Sequence, residues 1–198
     1  YLDNDEDGEA DSPAVHGELF DRSAAMVVFG APDDADATAF FDADLPDDLA
    51  VQDLYAGEIH PGGAAEGLFD ATLEETLHLV TTWGYAQAFP VPFAESPESA
   101  IAGAMDVCIE AGHYHPLIHE PDMPYAHQVT EYHYWAQTSI LGGQEYPGRP
   151  EEIADEWALY SANLVEQEDP TVFALLSDPQ WGLPIRLPDG SYESPPPS

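Results

Sequence analysis

The run Glu74-Glu75-Thr76-Leu77-His78 is the stretch of this 198-residue chain whose residue types and spacing point most directly to chemistry. On a helix, residues four apart share a face, so Glu74 and His78 reach one ion together, with Glu75 beside them. A hydrolytic metal site needs three protein ligands, an open position for water and a carboxylate that takes that water's proton. The usual carrier is H-E-x-x-H, in which two histidines bind and the glutamate is the general base. Only the first position departs here, where Glu74 replaces histidine. A carboxylate oxygen is a legitimate zinc ligand, but it is harder and adds negative charge. The bound water is then less acidic, and the site more tolerant of manganese, calcium or magnesium. Two readings without a metal compete. Thr72-x-x-Glu75 fits a capping box, and His78 alone fits a hydrogen-bonded core histidine.

A second helical stretch supplies a third ligand. Glu131 lies in TEYHYWAQTSIL, and Tyr125 stands six residues before it, where the chain enters that helix. A phenol there is placed to donate to a developing oxyanion. Tyr132 and Trp135 read as packing. His113, His115 and His119 form the loop GHYHPLIHE, and H-x-H can bind a metal by itself. Glu110-x-x-His113, with Glu75-x-x-His78 and Glu131, also admits a ferritin-like di-iron bundle. Gly112 breaks the helix that reading needs, and solvated loop histidines are the favoured reading. No G-x-S-x-G or phosphate-cradling glycine loop occurs, and Cys108 in MDVCI reads as a buried inert thiol.

The elements that must position these groups follow from periodicity and caps. Residues 23–30 (SAAMVVFG) read as a buried strand, Asp36 to Phe41 as strand or helix, and Val51 to Ile59 as an alternating strand before the turn-rich HPGGAAEG. Asp70 to Ala88 reads as a helix with Leu73, Leu77, Val80 and Gly84 in phase, opened by an Asp70/Thr72 cap. Further helices are predicted over Ser96 to Ile109, Tyr125 to Leu141, Pro150 to Leu164 and Pro170 to Leu176. A small amino-terminal sheet followed by a helical bundle gives an α+β fold. The predicted boundaries are an acidic linker over 1–22, a folded domain over 23–177 and a Pro/Gly-rich tail over 178–198.

Composition limits the partners. Three basic residues (Arg22, Arg149 and Arg186, with no lysine) against 39 acidic ones give a formal charge of −36. No basic face can form, which excludes nucleic-acid binding and attraction to anionic lipid. No apolar run reaches the roughly 20 residues that insert in a bilayer. One cysteine excludes an internal disulfide. With 44% apolar and 11% aromatic residues, the chain is nonetheless a folding one. Self-repulsion at this charge is largely screened in molar salt, where the Debye length falls to about 3 Å. Adaptation to a salt-rich environment is favoured over a calcium-loaded acidic protein, for which a D-x-D-x-D-G loop is the required signature. The acidic leader and the missing initiator Met suggest a mature or excised piece. An extracellular or cell-surface location is expected, with a salt-rich cytoplasm as the alternative.

The segments EETLHLVTTWGYAQAFP, YAHQVTEYHYWAQTSIL and DPTVFALL, in that order, resemble the zincin metallopeptidases of the anthrax-lethal-factor-like kind, over roughly residues 58 to 177. That resemblance implies a zincin-like domain with a divalent metal, zinc in the family. His78 and Glu131 would be ligands, with Glu74 in place of the first histidine. Glu75 would be the general base and Tyr125 the oxyanion donor. It also implies that HPGGAAEGLFD feeds from an edge strand into the active helix, where a peptide or protein substrate would be hydrolysed. The alternative is an inactive cell-surface or interaction domain that keeps the scaffold.

Overall fold

The computed structural model describes residues 1–46, 49–189 and 191. Helix α1 (Pro13–Asp21) leads into strand β1 (Ala25–Phe29), helix α2 (Ala35–Phe41) and strand β2 (Val51–Tyr55). β1 and β2 pair in parallel, Ala25 opposite Val51 and Phe29 opposite Tyr55, with α2 as the crossover. Phe29 meets Phe40 and Phe41 of that helix at 5.7 and 5.8 Å between ring centroids, which seats α2 on the pair. The ambiguous segment at 36–41 is thus a helix. These two strands are the whole of the sheet among the described residues.

The remainder is helical. α3 (Ala71–Val80) continues through a π-helical turn (Thr81–Tyr85) into α4 (Ala86–Ala88) and α5 (Pro90–Phe93). α6 (Ala100–Ala111), α7 (Tyr125–Ile140), α8 (Arg149–Ile153), α9 (Ala162–Glu168) and α10 (Pro170–Leu176) complete the bundle. The fold is mixed α+β, and no described helix is long and apolar enough to cross a membrane. α3 packs against β2 on one side and α7 on the other, while α7 is braced by α6, α9 and α10. Caps explain several starts: Asp70 accepts from the Thr72 amide, Ser99 from Ala102, and Asp169 from Val172. The serine that caps α6 is Ser99, so the helix begins about one turn later than the predicted start at Ser96.

Three expectations are corrected. Residues 1–22 are not a linker. Val15 of α1 is fully buried, Tyr1 donates its hydroxyl to the Leu73 carbonyl at 2.9 Å, and Asn4 exchanges hydrogen bonds with Leu183 and Ile185. Gly84 makes room for this helix, because a Cβ there would stand 2.7 Å from Val15 Cγ1. Residues 178–189 are likewise part of the body. Leu183 is buried, Tyr85 donates to the Gly182 carbonyl at 2.6 Å, and Gln137 donates to the Pro184 carbonyl at 3.0 Å. The tail expectation for 190 and 192–198 lies outside the described residues.

The third correction concerns the helix expected over Pro150 to Leu164, which breaks after Ile153 and restarts at Ala162. Trp157 is the reason. It is fully buried, donates Nε1–H to Ser139 Oγ at 3.0 Å, and stacks on Trp135. Its backbone bridges Tyr114 in antiparallel fashion. Burying the indole with a satisfied N–H outweighs about two more turns of helix.

Candidate metal centre

α3 and α7 bring Glu74, His78 and Glu131 to one place. One ligand atom from each lies within 4.8 Å of the others. Glu74 and His78 share a face through their i, i+4 spacing, and Glu131 enters from the facing helix. His78 is 6% exposed and its Nε2 has no hydrogen-bond partner, although it stands 3.6 Å from Glu131 Oε2. Two ligand atoms each about 2.1 Å from a tetrahedral ion stand roughly 3.4 Å apart, close to that separation. The Tyr134 ring meets the imidazole edge-on at 5.6 Å and closes the site on the core side.

The electrostatics agree with a missing positive charge. Burial, then the neighbouring Glu131, pushes the Glu74 carboxyl up to about 8. Glu131 is raised as well, by burial against the opposing pull of His78. Burial alone would lower the His78 imidazole, but the contact with Glu75 and the charges of Glu131 and Glu74 carry it up to about 9. Two partly buried carboxylates and an imidazole nitrogen with no partner form an N/O donor set suited to a divalent cation. The residues fit the group.

Glu75 occupies a different position from the one expected of a general base. Its Oε2 is 3.6 Å from His78 Nδ1 and accepts from Gln52 Nε2 of β2 at 2.5 Å. It therefore stands behind the ring, where it holds a proton on Nδ1 and leaves Nε2 free to face the carboxylates. The capping box falls too, since Asp70 is the cap and Thr72 Oγ1 is unpartnered.

Tyr125 is not brought to the cluster. Six residues before Glu131 on the same helix, it is turned by about 240°, and its hydroxyl donates to Asp106 Oδ1 of α6 at 3.1 Å. The loop histidines do not converge either. His113 pairs with Glu168 at 3.8 Å and His119 with Asp155 at 3.4 Å. With the helix ending at Gly112 in the left-handed region, the di-iron arrangement has no second half among the described residues.

Two features escaped the sequence reading. Arg149 is 5% exposed, sandwiched 4.2 Å above the Phe69 ring and 5.4 Å from Trp135, and donates Nε–H to Gln144 at 2.8 Å. Its charge opposes the rise of Glu74. An arginine in a chain with two others was the available signal. The second feature is in the leader, where Asp3-x-Asp5-x-Asp7-Gly8 is a D-x-D-x-D-G pattern that weakens the ground for setting calcium aside. The three carboxylates lie within 4.8 Å of one another. Asp3 accepts from the Asp7 and Gly8 amides, and Gly8 has φ of 89°. Ala14 stands where such a loop carries its bidentate glutamate.

Comparison of the chain with family models, with curated proteins and with solved structures finds no match, so the assignment stands on the geometry of α3 and α7 alone.

Proposed function

We propose that this chain is a metallopeptidase-like hydrolase domain built around one divalent cation, zinc by the zincin resemblance, held by Glu74, His78 and Glu131. The observation that carries this reading is the buried His78 Nε2, unpartnered and directed at a carboxylate from each helix. A cation bound there supplies Lewis-acid polarisation of a carbonyl and acidifies water at neutral pH.

The chain's own residues do the rest. Glu74 and Glu131 contribute the charge that binds the cation, and Glu75 with Gln52 fixes the tautomer of His78. The Tyr134 ring keeps water from the core side of the imidazole. Glu75 Oε2 already serves Gln52 and faces Nδ1, which leaves Oε1 as its acceptor for a proton from water. That engagement, with Tyr125 bonded to Asp106, favours as a second reading a domain that keeps the metal centre for binding rather than hydrolysis.

Elemental analysis of the purified chain at molar salt, paired with casein hydrolysis with and without a chelator, tests both. One cation per chain and chelator-sensitive hydrolysis are expected. One cation without hydrolysis selects the binding domain, and no stoichiometric cation sinks both.

A further inference from the structure

We infer that the outer edge of β1 is a self-association surface, on which a second copy of this chain lays its own β1 antiparallel, so that two two-stranded sheets join as one. The inference stands apart from the metal centre.

The edge is open. In the parallel ladder the Ala25 amide donates to the Ala50 carbonyl at 2.9 Å, and Ala25 stands opposite Val51. Parallel pairing engages alternate residues, so Ala25, Val27 and Phe29 serve β2 while Met26 and Val28 turn their N–H and C=O groups outward. Nothing else among the described residues bonds to those outward groups. Side-chain burial agrees. Leu54 lies on the face of β2 that turns Gln52 to Glu75 of α3, and it is 2% exposed. Val28, opposite it on β1, is 55% exposed. A two-stranded sheet is marginal by itself, and natural proteins usually blunt a bare edge with charge, proline or a bulge. β1 carries none of these devices.

Charge selects the occupant. Residues 23–32 (SAAMVVFGAP) hold no charged side chain in a chain of formal charge −36. Two copies therefore meet along this strand without setting carboxylate against carboxylate. The other edge refuses the same pairing. Self-pairing centred on β2 would oppose two copies of Asp53, and the Tyr55 amide there is already taken by Glu58 Oε2 at 3.2 Å.

Antiparallel pairing centred on Val27 sets Met26 of each copy against Val28 of the other, with roughly four backbone hydrogen bonds. It also carries Arg22, one of the three cations, toward the end where the other copy's Asp33 and Asp34 stand. Phe41, 52% exposed and 5.8 Å from Phe29, flanks the seam on the α2 side.

Sedimentation velocity on the full chain at molar salt, over about a hundredfold range of concentration, reads the assembly. A dimer is expected. Val28→Pro removes the outward N–H without touching the ladder to β2, and should weaken the dimer about tenfold or more. Val28→Asp puts a carboxylate on the seam, should act in the same direction, and remains readable if the proline variant fails to fold. Val27→Cys places a thiol at the two-fold axis, where Cα atoms stand roughly 4.5 Å apart, within disulfide reach. It should crosslink on oxidation, and Cys108 does not compete because it is buried.

A dimer that ignores both Val28 variants, or that gives no Val27→Cys crosslink, overturns the pairing. A monomer overturns it too, and hydrogen exchange at the Val28 amide then names the occupant. Protection points to a strand from elsewhere in this chain, and free exchange to an edge left for a different protein. None of these results bears on the cation, which elemental analysis reads separately.

Discussion

Replacing Glu75 by glutamine separates the two roles open to that carboxylate. In the structure its Oε2 faces His78 Nδ1 at 3.6 Å and is tethered by Gln52 at 2.5 Å. If Glu75 orients the imidazole, Glu75→Gln removes the charged acceptor behind the ring. Outer partners of this kind typically contribute 10- to 100-fold in metal affinity, or about 1.4 to 2.8 kcal/mol. The Glu75 side chain is 25% exposed, so solvent supplies part of the lost hydrogen bonding and the lower half of that range is expected. Gln52→Leu leaves the charge but frees the tether, and should cost about threefold.

The assay is competition against a chromophoric zinc chelator at molar salt and pH 7.5, with circular dichroism to confirm folding. A general base gives the opposite pattern, with metal affinity kept and hydrolysis abolished. A dissociation constant for Glu75→Gln within twofold of the parent would refute the orienting role.

Other perturbations read other parts of the argument. His78→Ala and Glu131→Gln should each abolish the thermal stabilisation produced by zinc, which for the parent is about 2.7 kcal/mol at a hundredfold excess over Kd; an undiminished shift in either variant would disprove the ligand set. Tyr125→Phe should change hydrolysis less than twofold and stability by about 1 kcal/mol at most, since the hydroxyl serves Asp106; a tenfold loss of rate would return it to the site.

Metal-free stability should fall as pH rises. The folded chain keeps the Glu74 proton up to about pH 8 against 4.5 when unfolded, and the His78 proton up to about 9 against 6.5, so the native state binds more protons in both windows. Urea melts of chelator-treated protein should show a clear loss of stability between pH 5 and 9, and a flat or rising profile would contradict the packing of these carboxyls around the imidazole. Cys108, buried and with its thiol pushed well above the usual range, should react with a disulfide reagent only at the rate of unfolding.

Much of the scaffold was legible because its signals are local. α3 announces itself by apolar spacing and the Asp70 cap, α7 by its periodicity, and the pairing of Glu74 with His78 follows from helix pitch. The meeting of those two with Glu131 needed only that the helices face each other. What was illegible depends on distant packing. The acids of the leader mask Tyr1 and Val15, whose partners on α3 and the π-helical turn lie far along the chain. Trp157 sits in a window that reads as helix, and only its indole's place against Trp135 and Ser139 forces the break. Tyr125 was assigned by sequence order, and order along a helix says nothing of which way a side chain points until the residues are counted by angle.

The π-helical turn at Thr81–Tyr85 accommodates one residue more than an α-helical path would, and it carries one of two seats on a single rod. One turn upstream His78 meets α7, and within the turn itself bare Gly84 receives Val15. The wider winding absorbs the surplus residue locally, so the helix on either side keeps its phase. Any side chain at position 84 would fill that notch, so the amino-terminal helix keeps its landing only while the position stays bare.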